Sequence, residues 1–278
     1  MNPVPPVMTL ELAGQIEQMD IDYSVSRLGG MQAAPGNPLD IRVKNYGNTV
    51  AFLIKAWPDF WYGQKVLGLS STDSIYLDEI VGLFRQNELS CRFEIIPGNL
   101  DESLVSRLNE LGFIQMGFST ALYGIPKRSL QALPQGVTVQ AVSPSQLDLF
   151  IDLYQDCFEY PRLVENEKKI VRGWIENAHI ALDCYIASLG NNPAGIGILF
   201  SHGKLSLLAD AAVLPRYRSS GCHTALIQRR IDRAVERGCE LLTSFPAFGS
   251  NSHRNLERAG LRIAYTKTMW FERTIKAR

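Results

Sequence analysis

The stretch from Leu205 to Gly238 constrains this chain more than any other. LSLLADAAVL, residues 205–214, is an apolar strand that Pro215 ends. A short polar loop follows, Arg216-Tyr217-Arg218-Ser219-Ser220-Gly221-Cys222-His223, and a long helix runs from Thr224 to Arg237 until Gly238 stops it. A loop that feeds a helix N-terminus presents backbone N–H groups with no partner inside the helix. Their dipoles converge, so they hold an anion such as a pyrophosphate. Gly221 lets the backbone approach such a ligand, and Arg216 and Arg218 neutralise charge. No lysine follows the glycine and GxGxxG is absent, so neither an ATP P-loop nor a dinucleotide-binding fold fits.

The 278 residues allow one large domain or two ordinary ones. The best boundary is Ile125–Val137, IPKRSLQALPQGV, with two prolines and a glycine between better-patterned halves. With 28 Lys+Arg against 28 Asp+Glu, no global positive field draws the chain to nucleic acid. A local basic patch is read at Arg216, Arg218, Arg229, Arg230, Arg233 and Arg237, opposed by Asp232 and Glu236. Five cysteines without a CxxC read as reduced thiols in a cytosolic protein. Four histidines form no HxxxH or HExxH, so no metal is expected. MNPVPPVMTLELAGQ lacks the pattern of a signal peptide, and no apolar run is long enough to span a membrane.

In the first half, Leu10–Leu28 reads as helix and Gly29–Pro38 as loop. Asp40–Lys44 and Thr49–Lys55 read as strands about a turn at 45–48. Tyr76–Asn87 is helical, with Leu77, Ile80, Val81 and Phe84 on one face. Ser90–Ile96 is a strand and Asp101–Leu111 a helix that Gly112 stops. In the second half, Val137–Val142 is a strand, and Ser143–Phe158 and Glu167–Asn177 are helices. Ala181–Leu189 and Ala194–Ser201 are strands about a turn at Asn191-Asn192-Pro193. Beyond the long helix come a strand at Glu240–Phe245, a helix at Ser252–Ala259 and a strand at Arg262–Phe271. Sliding the chain by 148 positions superimposes Cys239 on Cys91, Leu256 on Leu108, Gly260 on Gly112 and Thr268 on Thr120. With the shared order of elements, this reads as a tandem repeat.

The segment Val213-Leu214-Pro215-Arg216-Tyr217-Arg218-Ser219-Ser220-Gly221-Cys222-His223-Thr224-Ala225-Leu226 resembles the acyl-CoA loop of the GNAT superfamily of N-acetyltransferases, R/Q-x-x-G-x-G/A ahead of a helix. Arg218 and Gly221 match, and His223 stands where Gly or Ala is usual. Gly249–Leu261 resembles the family's "N-x-x-S/A … G-F" helix through Ser252 and Gly260, with Gly249 in place of the asparagine and Leu261 in place of Phe. The first half resembles a degenerate copy: Gly112-Phe113 matches, and no R/Q-x-x-G-x-G/A precedes its helix at Tyr76.

The resemblance implies an α/β (α+β) fold of two GNAT-like domains, each a mixed, mostly antiparallel sheet flanked by helices. A degenerate domain without a CoA loop would span 1–128, and an acetyltransferase domain 136–278. It implies acetyl-CoA as co-substrate and a small-molecule or peptide amine as acceptor, with no metal, nucleic acid or membrane partner; a homodimer stays open. The pyrophosphate would lie on Arg218, Ser219, Ser220, Gly221, Cys222, His223 and Thr224, and the pantetheine arm along Ala211, Ala212 and Val213, with Asn255 as a further CoA contact. Candidate catalytic residues are Asp210 as base and, because Leu256 occupies the place of the family's acidic tyrosine, Ser252 and Tyr265 as proton carriers. Asp210 also reads as a bulge residue facing solvent, and Cys222 as an inward-packing residue rather than a nucleophile. Trp57 and Phe60-Trp61-Tyr62 read as an acceptor pocket or as core. The missing tyrosine keeps a rival open, an acyl-CoA-binding sensor or pseudoenzyme without transfer activity. Transfer from a charged tRNA is a third reading that the neutral charge opposes.

Overall fold

The computed structural model describes residues 5–60, 63–129, 132–178 and 181–273. Along the first half run α1 (Leu10–Gln32), β1 (Ile41–Tyr46), β2 (Thr49–Ile54), β3 (Lys65–Leu67), α2 (Leu77–Gln86), β4 (Arg92–Ile95), α3 (Glu102–Glu110) and β5 (Phe113–Gly124). Along the second run β6 (Val137–Ala141), α4 (Leu147–Phe158), α5 (Glu165–Asn177), β7 (Leu182–Leu189), β8 (Asn192–His202), β9 (Leu205–Val213), α6 (Cys222–Glu236), β10 (Leu241–Ser244), α7 (Asn251–Arg258) and β11 (Arg262–Glu272). The class is mixed α/β, and helices and strands fall close to where their patterns place them. The three-residue β3 has too few positions to show a period, and the sequence reading lacks it.

The chain divides into two compact units. One comprises Met8–Ala121 with Ala264–Arg278, the other Met1–Val7 with Leu122–Ile263. The division runs through two strands: the end of β5 goes with the second unit, and most of β11 with the first.

In the N-terminal unit the strand order is β1-β2-β3-β4-β11. β1 and β2 form a hairpin whose last pair is Tyr46↔Thr49, leaving Gly47-Asn48 as a two-residue turn. Gly47 has φ +65°, and Asp73 accepts from Asn48 N–H and the Thr49 hydroxyl, both at 3.0 Å. β3 lies parallel to β4, and β11 closes the sheet antiparallel to β4 with Thr268 opposite Ile95. Leu77, Ile80, Val81 and Phe84, the apolar stripe of α2, pack with Phe93, Phe113 and Trp270 in one core. α1 continues past Leu28 through Gly29-Gly30, four residues into the expected loop. Each glycine costs a helix about 1 kcal/mol, and the burial of Met31 at 2% exposure offsets this. The inward face of α1 also carries charge. Lys267 of β11, wholly buried, lies 2.7 Å from Glu17 and 2.6 Å from Asp20, and Lys65 lies 3.1 Å from Asp20.

The C-terminal unit orders its strands β5-β10-β9-β8-β7-β6, of which β10 and β9 are parallel and the other neighbours antiparallel. α6 lays Ala225, Leu226, Ile227, Ile231 and Ala234 against Leu199, Leu208 and Leu242. Ahead of α4, Pro144–Gln146 form a 3₁₀ turn, so the segment read as one helix from Ser143 begins with a tighter turn. From β1 and from β7 onward the two halves run through the same order of elements, while β6 and the α4–α5 pair against the single α1 set their beginnings apart. β4-α3-β5 matches β10-α7-β11, and both closing strands are entered through a left-handed glycine, Gly112 at φ +88° and Gly260 at φ +100°. The closing strands are exchanged: Leu122–Gly124 of β5 pairs with β10, and Thr268–Phe271 of β11 with β4.

Candidate functional site

The residues singled out by sequence between Asp210 and Asn255 all lie in the C-terminal unit, around the C-terminal end of β9. At its start β9 has neighbours on both edges. It runs beside β10 at Leu205–Leu207, and the Ser244 hydroxyl donates to Leu208 O at 2.8 Å. Past that point no described strand pairs with this edge.

On its other edge β9 carries a bulge. Leu199 pairs with Leu208, but the next pair along the ladder is Gly197↔Ala211. Ile198 therefore faces two residues, Ala209 and Asp210, which breaks the ladder and re-aims the backbone. The Asp210 carboxylate is half-buried and accepts from the Tyr154 hydroxyl of α4 at 2.9 Å. Of the two readings of Asp210, the bulge is present, and its side chain turns to Tyr154.

Pro215–Tyr217 form one 3₁₀ turn after β9, and the Ser220 hydroxyl donates to Tyr217 O at 2.7 Å. Ser219 at φ +64° and Gly221 at φ +87° are both left-handed, and Gly221 caps α6. A Cβ on Gly221 would stand 2.4 Å from Pro134 Cγ, so glycine is required there by both sterics and backbone. The cap starts α6 at Cys222, two residues ahead of the predicted Thr224. Ala225 N–H reaches Gly221 O at 2.9 Å, while the His223 and Thr224 N–H groups precede the first acceptors of the helix. Arg218, Ser219 and Thr224 are exposed beside these donors. Cys222 is fully buried in the core, so it offers the loop only its backbone.

α7 approaches the start of α6. Its Asn255 Nδ2 lies 3.2 Å from His223 Nδ1. Burial, with help from the Arg230 charge, pushes the His223 pKa down to about 4. The ring is therefore neutral near pH 7, and Nδ1 accepts from the amide. Ser252 is half-buried one turn earlier on α7. Leu256, in the place of the family's tyrosine, is buried in the core. Tyr265 belongs to the other unit, where its hydroxyl donates to Ala13 O at 3.4 Å and burial pushes its pKa up. Asp210, Ser252 and Asn255 all belong to the C-terminal unit.

Two features escape a sequence reading. Tyr154 sits among Phe158 and Tyr160, with ring centroids 4.7 and 6.3 Å away, and its role depends on a contact 56 positions along the chain. Arg230 belongs to the apolar stripe of α6, not to its basic face: it is 1% exposed and donates to Leu226, Ile198 and Ala209 carbonyls. Its signal was an arginine four residues after Leu226 and four before Ala234. The basic patch shrinks accordingly. Arg233 and Arg237 pair with Asp183 at 3.1 and 2.9 Å, and Arg229 with Glu236 at 3.1 Å. Arg216 lies over the Tyr217 ring, and neither Arg216 nor Arg218 forms an ion pair with a described residue. In the N-terminal unit, Trp57 and Phe60 meet edge to face at 5.8 Å with Arg27 over Phe60. Trp61 and Tyr62 lie outside the described residues.

Among the described residues no group of three or more His, Cys, Asp or Glu is placed to hold a metal, and no helix is long and apolar enough to cross a membrane. A strand edge beside a bulge, ending in a left-handed glycine and a helix N-terminus, has the chemistry to take an extended ligand with an anionic end. Residues 147–260 match the model of the family described as "Acetyltransferase (GNAT) family". The chain is similar in structure to a GCN5-related N-acetyltransferase from Kribbella flavida, at TM-score 0.61 and 14% identity over 91% of this chain and 95% of that one. A GCN5-related N-acetyltransferase from Sphaerobacter thermophilus matches at TM-score 0.57 and 12% identity over 98% and 94%. A tandem GNAT protein from the clavulanic acid biosynthesis pathway matches at TM-score 0.57 and 13% identity over 74% and 73%. No curated protein matches the chain with significance. The fold is that of GNAT acetyltransferases, tandem members included. The family model matches the domain that residues 147–260 define, and the likeness to the solved structures is one of fold.

Proposed function

We propose that the protein is an acetyl-CoA-dependent N-acetyltransferase of the cytoplasm, acting on an amine of a small molecule or peptide. The observation that carries this reading is the continuity of one ligand track: the open edge at Ala209–Val213 leads directly to the amides behind Gly221. Ala211, Ala212 and Val213 would pair with the pantetheine arm as an added strand. Ser219, Ser220, Gly221, Cys222, His223 and Thr224 would hold the pyrophosphate through backbone N–H groups, with Arg218 supplying charge and Asn255 steadying His223. The bound co-substrate supplies an acetyl group as a thioester. Backbone donors at the bulge stabilise charge on the acyl oxygen as the amine forms its N–C bond and the C–S bond breaks. Asp210, oriented by Tyr154, takes the proton that the amine sheds. Ser252 would return a proton to the leaving thiolate.

The domain limits 1–128 and 136–278 belong to this proposal as the extents of two related copies, of which only the second holds CoA. Asp210→Asn tests the chemistry. Thiol release from acetyl-CoA over a panel of amines falls about 100-fold, while CoA affinity stays within about threefold of the wild type. Equal turnover in the variant removes Asp210 from the mechanism. The burial of Leu256 where the family has a tyrosine favours one rival, a CoA-binding sensor. CoA binding with no thiol release from any amine would establish that reading instead.

A further inference from the structure

A buried arginine is costly in the apolar face of a helix unless its donors are met. Arg230 is among the largest fully buried side chains, and its donors go to three backbone carbonyls. One is Leu226 O in its own helix, at 3.0 Å. The other two lie on opposite sides of the bulge: Nη1 donates to Ile198 O at 3.1 Å and to Ala209 O at 3.2 Å. These carbonyls sit where the β8–β9 ladder skips from Leu199↔Leu208 to Gly197↔Ala211. One guanidinium nitrogen thus bridges the gap that the extra residue opens. β8 makes room for it: a Cβ on Gly197 would come within 3.2 Å of Arg230 Nε and 3.4 Å of Cδ.

The consequence is directional. Ala209 C=O and Asp210 N–H share one trans peptide plane, in which they point opposite ways. Drawing the carbonyl onto Arg230 aims the Asp210 N–H away from α6. Donation to the carbonyl also polarises that peptide, which strengthens the N–H as a donor. We infer that Arg230 is a positioning residue that holds the β9 bulge open and aims the Asp210 N–H at the acyl oxygen of the thioester. The inference rests on the acyl-transfer reading for its ligand and on geometry alone for the bulge. Asp210, Tyr185 and His223 are the titratable groups that face the guanidinium. Burial lowers the Arg230 pKa only to about 10, so the charge persists near neutrality.

The test uses the full chain with Arg230→Met, which keeps a long side chain and removes every donor, beside Arg230→Lys, which restores charge and donors. Amide NMR compares each protein saturated with acetyl-CoA and with CoA, which lacks the acyl oxygen. In the wild type the Asp210 amide differs between the two; in Arg230→Met that difference disappears, and Arg230→Lys recovers part of it. CoA affinity stays within about threefold, while single-turnover acetyl transfer falls about 100-fold. Ile231→Ala, a neighbouring core change, lowers Tm and leaves transfer intact, separating positioning from stability. An Arg230→Met protein with the wild-type Asp210 response and transfer rate overturns the inference. If the wild type binds no acetyl-CoA, the acyl-transfer reading fails; Asp210 amide exchange in the free proteins then decides the bulge, and equal exchange overturns Arg230's role. If Arg230→Met does not fold, Arg230→Lys and Gly197→Ala carry the same comparison, the latter crowding the guanidinium without removing it.

Discussion

Replacing Gly221 with alanine probes the anion site at its narrowest point. The added Cβ would stand 2.4 Å from Pro134 Cγ and 3.0 Å from its Cβ, where about 3.5 Å or more is comfortable. Relief requires a shift of about 1 Å, in a loop that must also leave φ +87° or hold alanine there at about 1–2 kcal/mol. The N–H groups that follow move with it. A charge-assisted hydrogen bond is worth about 1.5–3 kcal/mol, so two misaimed donors weaken CoA by about 3 kcal/mol or more, over 100-fold. Calorimetric titration of CoA measures the loss, and a thermal melt reports whether the fold survives. The contact makes Gly221→Asp a poor probe, because its larger side chain meets the same ring and disturbs the fold as well as the site. Pro134→Gly combined with Gly221→Ala removes the clash and keeps the backbone strain, so it recovers part of the affinity. A folded Gly221→Ala protein with CoA affinity within threefold of the wild type would refute the assignment.

Two further predictions concern buried charge. Lys267→Met leaves Glu17 and Asp20 buried without their shared cation and costs the N-terminal unit about 3–5 kcal/mol at pH 7. Burial raises the Glu17 pKa, so the variant takes up a proton on acidification and the deficit narrows by pH 5; urea melts showing the same deficit at both pH values would contradict this. For Asp20 burial acts upward too, but Lys267 and Lys65 outweigh it and hold the carboxyl below its usual range. Its contribution is therefore present above the unfolded carboxylate pKa and is lost only as pH falls through the lower folded value. His223 behaves in the opposite sense to a salt-bridged histidine. Its folded pKa is about 4 against 6.5, so the unfolded chain binds more protons between those values, and stability falls by about 3 kcal/mol as pH drops across that window. His223→Gln flattens this slope in pH-dependent denaturation, and an unchanged slope would show that folding does not lower the His223 pKa.

Local chemistry made much of the architecture legible. The α2 stripe, the Gly47 turn, Gly112 and Gly260 each announce an element within a few residues, and the structure places them accordingly. The loop at Gly221 was legible because a strand, a left-handed position and a helix start are all sequence-local. What was hidden depends on distance. Tyr154 meets Asp210 across 56 positions, and Arg230 meets Ala209 across 21, so neither role has a local pattern. The exchange of closing strands was hidden for the same reason: β5 and β11 read as the ends of their own repeats, and only pairing with β10 and β4 shows where they go. Tyr265, five positions past Gly260, belongs by its contacts to the N-terminal unit, where its hydroxyl donates to Ala13 O.

The most direct measurement is a calorimetric titration of acetyl-CoA into the full chain. One site per chain is expected, with a dissociation constant on the order of 10 μM, lost when Gly221 carries a side chain. Absence of heat at high micromolar ligand, or two equivalent sites per chain, would contradict it.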